Sequence, residues 1–221
     1  FIQSGSSMKK VGIIGSGVVG KTLAKGFLQN NYTTIIASRS ETKRQELETA
    51  LQGVQVADFA TTAQKAAIIV LAVKGTKAIE ALQLCGIDNL KGKVIIDATN
   101  PIAEAAPENG VLRYFSDINR SLMEDLQDLA PEAHFVKAFS CVGSAYMVNP
   151  DFDGQKPSMF ICGNNDLAKE TVRNILTQFG WDTEDMGKAT AARAIEPLAM
   201  LWCIPGMLKG QWTHAFKLLK P

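Results

Sequence analysis

The stretch Val11-Gly12-Ile13-Ile14-Gly15-Ser16-Gly17-Val18-Val19-Gly20 decides how the rest of the chain is read. A run suited to a buried strand enters a Gly-x-Gly-x-x-Gly turn directly, and an amphipathic segment from Lys21 to Gln29 follows. Strand, glycine turn and helix in that order form the phosphate cradle of a dinucleotide-binding fold. Gly15 permits the tight turn, Gly17 lets the backbone approach a pyrophosphate, and Gly20 lets helix and strand pack closely. Ser16, Val18 and Val19 complete the turn, where a helix N-terminus offers free N–H groups and a positive dipole end.

The tip of the second strand is equally informative. Thr34-Ile35-Ile36-Ala37 ends in Ser38-Arg39-Ser40, with Thr42-Lys43-Arg44 close behind. An NAD site usually carries an acidic residue about 20 positions beyond the glycine motif, to hold the ribose 2′-hydroxyl. Here Glu41 lies beyond the tip and reads as an early-helix residue. Two hydroxyls and the planar guanidinium of Arg39 suit a 2′-phosphate, and Lys43 can add a point charge. The spacing therefore points to NADP(H) rather than NAD.

A chain of 221 residues with a net charge of +1 has enough length for a sizeable core and no electrostatic case for nucleic acid or membrane. Cys85, Cys141, Cys162 and Cys203 form no Cys-x-x-Cys pair, and only two histidines are present, which argues against a metal site. Free thiols and no export signal suit a reducing cytoplasm. Residues 1–7 read as a leader or an addition ahead of Met8, residues 8–148 as the NADP-binding Rossmann domain, and residues 149–221 as a small C-terminal lobe.

Short β-rich runs alternate with helical stretches, which predicts an α/β fold with a doubly wound, mostly parallel sheet. Beyond the two strands already placed, strands are expected at Val54–Val56, Ile68–Val73, Val94–Ala98, His134–Phe139, Met159–Cys162 and about Thr183–Met186. Helical segments are expected over Glu41–Leu51, Thr61–Ala66, Thr76–Cys85, Ser116–Leu129 and from Asn165 or Asp166 to Phe179, with Gly180 as the stop. The apolar tail around Leu198, Trp202 and Met207 is expected to be broken into pieces by Pro197 and Pro205-Gly206. It is too interrupted to span a membrane. Packing against the domain, another subunit or a flat aromatic ligand would account for it.

Ligands of an open α/β sheet bind beyond the carboxyl ends of its strands. That rule selects the glycine turn, Ser38 to Lys43, Ala72-Val73-Lys74-Gly75 and Thr99-Asn100-Pro101 as cofactor loops, the last two flanking the nicotinamide ribose. Ser140-Cys141, after the sixth strand, lies on the same edge and is a candidate for the acceptor side, together with Trp202 and Met207. Asp97 reads as a structural hydrogen-bond acceptor, His134 as structural, and His214 as a surface or interface residue of a final helix. No Tyr-x-x-x-Lys pair exists, so Lys74 and Lys137 remain as the proton-transfer candidates, with Ser140 able to orient a ring. Carbonyl reduction needs a general acid, whereas hydride exchange with a flavin-like ring mainly needs two rings held close in a dry cleft.

Taken together, the glycine turn, Ser38-Arg39 with Lys43, Val136-Lys137-Ala138-Phe139-Ser140 and Ala192-Arg193-Ala194-Ile195-Glu196-Pro197-Leu198 resemble the coenzyme F420-dependent NADP oxidoreductase family, including the related reductase domain of the STEAP ferric reductases. The resemblance runs from Lys10 to about Leu208. It implies NADP(H) on the glycine turn, with Ser38, Arg39 and Lys43 on the 2′-phosphate. It also implies a C-terminal lobe that helps form an acceptor cleft and a homodimer. The expected activity is hydride exchange between NADPH and a flavin or deazaflavin (F420-like) acceptor. The alternatives are reduction of a small carbonyl or imine, and an NADP(H)-binding sensor.

Overall fold

The computed structural model describes residues 10–221, so the expected leader at 1–7 and the start of the 8–148 domain lie outside the described residues. Eight strands form one sheet: β1 (Lys10–Ile14), β2 (Thr33–Ala37), β3 (Gln55–Ala57), β4 (Ile68–Leu71), β5 (Val94–Asp97), β6 (His134–Lys137), β7 (Ser158–Gly163) and β8 (Asp182–Asp185). Their order is 3-2-1-4-5-6-7-8. The pairings from β3 through β6 are all parallel, β7 runs antiparallel to β6, and β8 runs parallel to β7. Val11 sits opposite both Thr34 and Ile68, so β1 marks the point where the strand order reverses. Crevices for ligands open at such points.

Among the described residues seven α-helices cover the sheet: α1 (Val18–Gln29), α2 (Glu41–Ala50), α3 (Phe59–Lys65), α4 (Ala78–Cys85), α5 (Leu122–Leu129), α6 (Asp166–Phe179) and α7 (Ala192–Lys209). Leu23 and Phe27 of α1, Leu47 of α2, and Val172, Leu176 and Phe179 of α6 share one core. A second core joins Ala63 of α3, Ala81 and Leu82 of α4, Leu126 of α5 and Ile195 of α7. The near-continuous apolar β4, Ile68 to Leu71, is buried along its length, as a strand covered on both faces must be.

Several boundaries differ from the sequence expectation for local reasons. Residues 116–121 are not helical. Ser121 forms a capping box with Glu124 and starts α5 at Leu122. Asp58 caps α3, accepting from the Thr61 N–H, and moves its start back to Phe59. Strand β6 ends at Lys137, because Phe139 turns out of the sheet at φ 64°. Asn165 caps α6 and Gly180 closes it in the left-handed conformation, as expected.

The largest correction concerns the tail. Helix α7 is continuous through both Pro197 and Pro205, although each removes a backbone donor. Its buried residues Ala192, Ile195, Ala199, Trp202 and Gly206 recur at intervals of three and four and form one face. Neither proline belongs to that face, and burial of the stripe outweighs the missing bonds. His214 lies beyond the end of α7 and stacks on Trp202 at 4.8 Å. No described helix is long and apolar enough to cross a membrane.

Candidate functional site

The carboxyl ends of β1, β2, β4 and β5 open onto a cleft of about 650 Å³. The glycine turn forms its floor. Gly15 has φ +129°, and a Cβ there would stand 2.1 Å from the Ala72 carbonyl oxygen; at Gly20 it would stand 1.9 Å from the Gly15 carbonyl oxygen. Gly17 differs from both: a Cβ there would meet nothing within 4 Å, because the residue faces the open cleft. Gly17 is also the N-cap of α1, with no side-chain cap and no acidic residue in the first turn. The first N–H groups of α1, including those of Val18 and Val19, therefore face a space suited to an anion.

Cations border the cleft at its β2 side. Arg39, Ser40 and Lys43 line it, as expected, and so do two residues that the sequence reading missed, Phe59 and Lys77. The Arg39 guanidinium lies 5.3 Å from the Phe59 ring centroid and 3.3 Å from Glu80 Oε1. Lys77 approaches the same carboxylate at 3.8 Å. Lys77 follows Lys74 at the start of α4, and only the fold brings that turn across to Arg39. The hydroxyls behave differently from the guanidinium. Ser38 is buried and donates to the Ser40 carbonyl oxygen at 3.0 Å, while the Ser40 hydroxyl accepts from the Lys43 N–H and caps α2. Ser38 shapes the turn rather than lining the cleft.

Val73, Lys74 and Ala98 are shared with an adjoining cavity of about 410 Å³, which Thr99, Asn100 and Ile102 also line. Three loops interlock here. A Cβ on Gly75 would stand 2.0 Å from the Asn100 carbonyl oxygen, and Asn100 Nδ2 donates to the Ser140 carbonyl oxygen at 2.8 Å. Pro101, next in the chain, is buried. The left-handed backbone of Phe139, costly for an aromatic residue, turns the chain at Ser140.

Beneath these loops lies a fully buried ionic cluster. Lys137 Nζ stands 2.8 Å from Asp97 Oδ2, 2.8 Å from Glu196 Oε2 and 2.7 Å from the Thr99 carbonyl oxygen. The other Asp97 oxygen accepts from the Thr99 N–H and hydroxyl, at 2.9 and 2.6 Å. Glu196 accepts from the Leu122 and Met123 N–H groups and so caps α5. Burial pushes the Lys137 pKa down, but the two carboxylates outweigh that and hold the ammonium above the ordinary lysine range. An ammonium fully buried among these three oxygens lines neither cavity and is not placed to deliver a proton at the cleft. Lys137 is thus corrected from proton donor to buried scaffold, whereas Asp97 is the structural acceptor that its position suggested.

The acceptor-side expectations are also revised. Ser140 and Cys141 are buried, and burial pushes the Cys141 thiol up to about 11. Trp202 and Met207 line neither cavity. The Trp202 indole is buried against Gly143, stacks on His214, and donates to the His214 carbonyl oxygen at 2.8 Å. Met207 is exposed at the far end of α7, near Gly110. Among the described residues no group of three or more His, Cys, Asp or Glu side chains could hold a metal ion.

Comparison with known proteins agrees with this geometry. Residues 10–101 match the family described as NADP oxidoreductase, coenzyme F420-dependent. A crystal structure from Arthrobacter sp. FB24, assigned as an F420-dependent NADP reductase, superposes with a TM-score of 0.88 at 29% identity, covering 96% of this chain and all of that one. The metalloreductase STEAP3 of Rattus norvegicus is 28% identical over 204 residues, 90% of this chain and 39% of the metalloreductase. The chain thus spans about two fifths of the length of that curated relative. A reductive aminase from Aspergillus terreus, solved with NADPH and ethyl levulinate, shares the fold at a TM-score of 0.65 and 18% identity, over 91% of this chain and 62% of that one. The chain is thus similar, through residues 10–101, to the family of coenzyme F420-dependent NADP oxidoreductases and, over nearly its whole length, to the Arthrobacter structure.

Proposed function

We propose that the 650 Å³ cleft holds NADP(H) and that the protein passes a hydride between its nicotinamide and a flavin or deazaflavin ring. The pyrophosphate would lie over Gly17 and the N-terminus of α1. The 2′-phosphate would lie between Arg39 and Lys43, with Lys77 beside them. When bound, the nicotinamide supplies the hydride. The protein's part is to fix the two ends of the cofactor and to keep the reacting face dry.

The observation that carries the ring-acceptor reading is the state of Lys137. Its ammonium is enclosed by Asp97, Glu196 and Thr99, so the nicotinamide end has no buried proton donor of its own. Ring-to-ring hydride transfer makes the least demand for one. The Arthrobacter likeness supports a deazaflavin acceptor in particular.

One observation favours a second reading. Exposed Lys74 lines both cavities, where it could protonate a small carbonyl or imine. Stopped-flow oxidation of NADPH in the presence of F420, FMN, FAD or a small cyclic imine separates the two. Turnover on a ring acceptor that survives Lys74→Ala is the expected result. Turnover on the imine alone, lost in Lys74→Ala, would replace the ring acceptor with the second reading.

A further inference from the structure

We infer that the buried Asp97–Lys137–Glu196 cluster is a positioning device for the nicotinamide end of the cofactor, acting through the Thr99-Asn100 loop. The inference rests on the proposed NADP(H) cleft and adds residues that touch no ligand. Its basis is the convergence of three distant segments on one loop. Lys137 of β6 holds the Thr99 carbonyl oxygen at 2.7 Å, and Asp97 of β5 holds the Thr99 N–H and hydroxyl at 2.9 and 2.6 Å. Glu196 of α7 holds Lys137 from the far side at 2.8 Å while capping α5. Thr99 therefore has its carbonyl, amide and hydroxyl all fixed by charged partners, and charge-assisted bonds are the stronger kind.

Asn100, the next residue, passes this order outward. Its Nδ2 donates to the Ser140 carbonyl oxygen, and its backbone presses against Gly75. The loops after β4, β5 and β6 thus become one rigid wall at the junction of the two cavities. A lost donor in this cluster also leaves two buried carboxylates facing each other, so the loop would move rather than merely loosen. The adenosine end of the cleft, at Arg39 and Lys43, has no contact with the cluster.

That separation makes the role measurable without any acceptor. NADP+ reaches the wall, whereas 2′,5′-ADP carries only the adenosine end and its phosphates. Isothermal titration of both ligands against wild type and Lys137→Met is expected to show at least a tenfold rise in Kd for NADP+ and less than a twofold change for 2′,5′-ADP. Thr99→Val removes one bond to Asp97 and leaves the ion pairs intact. It is expected to give the same split at three- to fivefold, which keeps the inference testable if Lys137→Met fails to fold. Equal weakening of both ligands, or no change for NADP+ in a folded Thr99→Val, overturns the positioning role. A wild-type protein that bound neither ligand would overturn the cofactor reading itself, and the inference with it.

Discussion

The two ends of the cleft are built on opposite plans. At the adenosine end, Arg39, Lys43 and Lys77 are solvent-facing cations, and Arg39 is about half exposed beside an equally exposed Glu80. Exposed pairs of this kind contribute about 0–1 kcal/mol and rearrange easily, so a ligand phosphate can capture the cations at little cost. Beneath the Thr99-Asn100 loop the charges of Asp97, Lys137 and Glu196 are fully buried and paired with one another. They are not available to a ligand; they set the position of what is. With NADP(H) in the cleft as proposed, one end would bind by charge held ready and the other would orient by backbone held still.

Both ends share the glycine turn, so a change there should have the largest effect. Gly20→Ala places a Cβ 1.9 Å from the Gly15 carbonyl oxygen, so backbone must move. A loss of about 3 kcal/mol or more in unfolding free energy is expected, with NADPH binding abolished below about 1 mM. Chemical denaturation and ligand titration measure the two effects.

The adenosine end alone is tested by Arg39→Asp. NADPH affinity should fall about 100-fold, or about 2.7 kcal/mol, while NADH affinity is nearly unchanged. Equal losses would make Arg39 a structural residue. Gly17→Ala is a subtler probe of the shared turn. No atom lies within 4 Å of the new methyl, so stability should stay within about 0.5 kcal/mol of wild type. Because the methyl projects into the cleft, NADPH binding should weaken about tenfold.

The smallest expected effect lies behind the nicotinamide end, where Arg193 of α7 grips Glu124 of α5 at 2.8 Å. Burial alone would raise the Glu124 pKa, but the hydrogen bonds from Arg193 and Ser121 outweigh it and hold the carboxyl at about 2. A depressed folded pKa stabilises the protein above the unfolded value of 4.5, and that contribution is lost as the pH falls towards 2. After screening by solvent around half-exposed Arg193, it should be about 1 kcal/mol. Melting curves from pH 5 to pH 2 should show that loss, and it should be reduced in Arg193→Leu.

The contrast between the two ends also explains what could be read from the sequence. The glycine turn and Ser38-Arg39-Ser40 are contiguous, and each residue acts within a few positions of its neighbours. Strands β1 to β7 fall in short apolar runs punctuated by turns, whereas β8 is Asp182-Thr183-Glu184-Asp185 and contains no such run. The nicotinamide end is assembled from positions 97, 137 and 196, which no local pattern connects. From sequence Lys137 therefore stands as a proton-transfer candidate, although two carboxylates enclose it. Lys77 was missed for the same reason, since only the sheet order brings the start of α4 across to the β2 loop. The tail misled differently. Two prolines are a strong local signal for broken helix, but a buried stripe from Ala192 to Gly206 overrides it and places Trp202 in packing.

The cleft as proposed is built for a dinucleotide carrying a 2′-phosphate. Isothermal titration of the wild-type protein with NADPH and with NADH, under identical salt, tests it most directly. The cation rim at Arg39, Lys43 and Lys77 predicts NADPH binding about 100-fold tighter than NADH, with an advantage that shrinks as salt rises. Equal affinity for the two cofactors, or tighter binding of NADH, would contradict it.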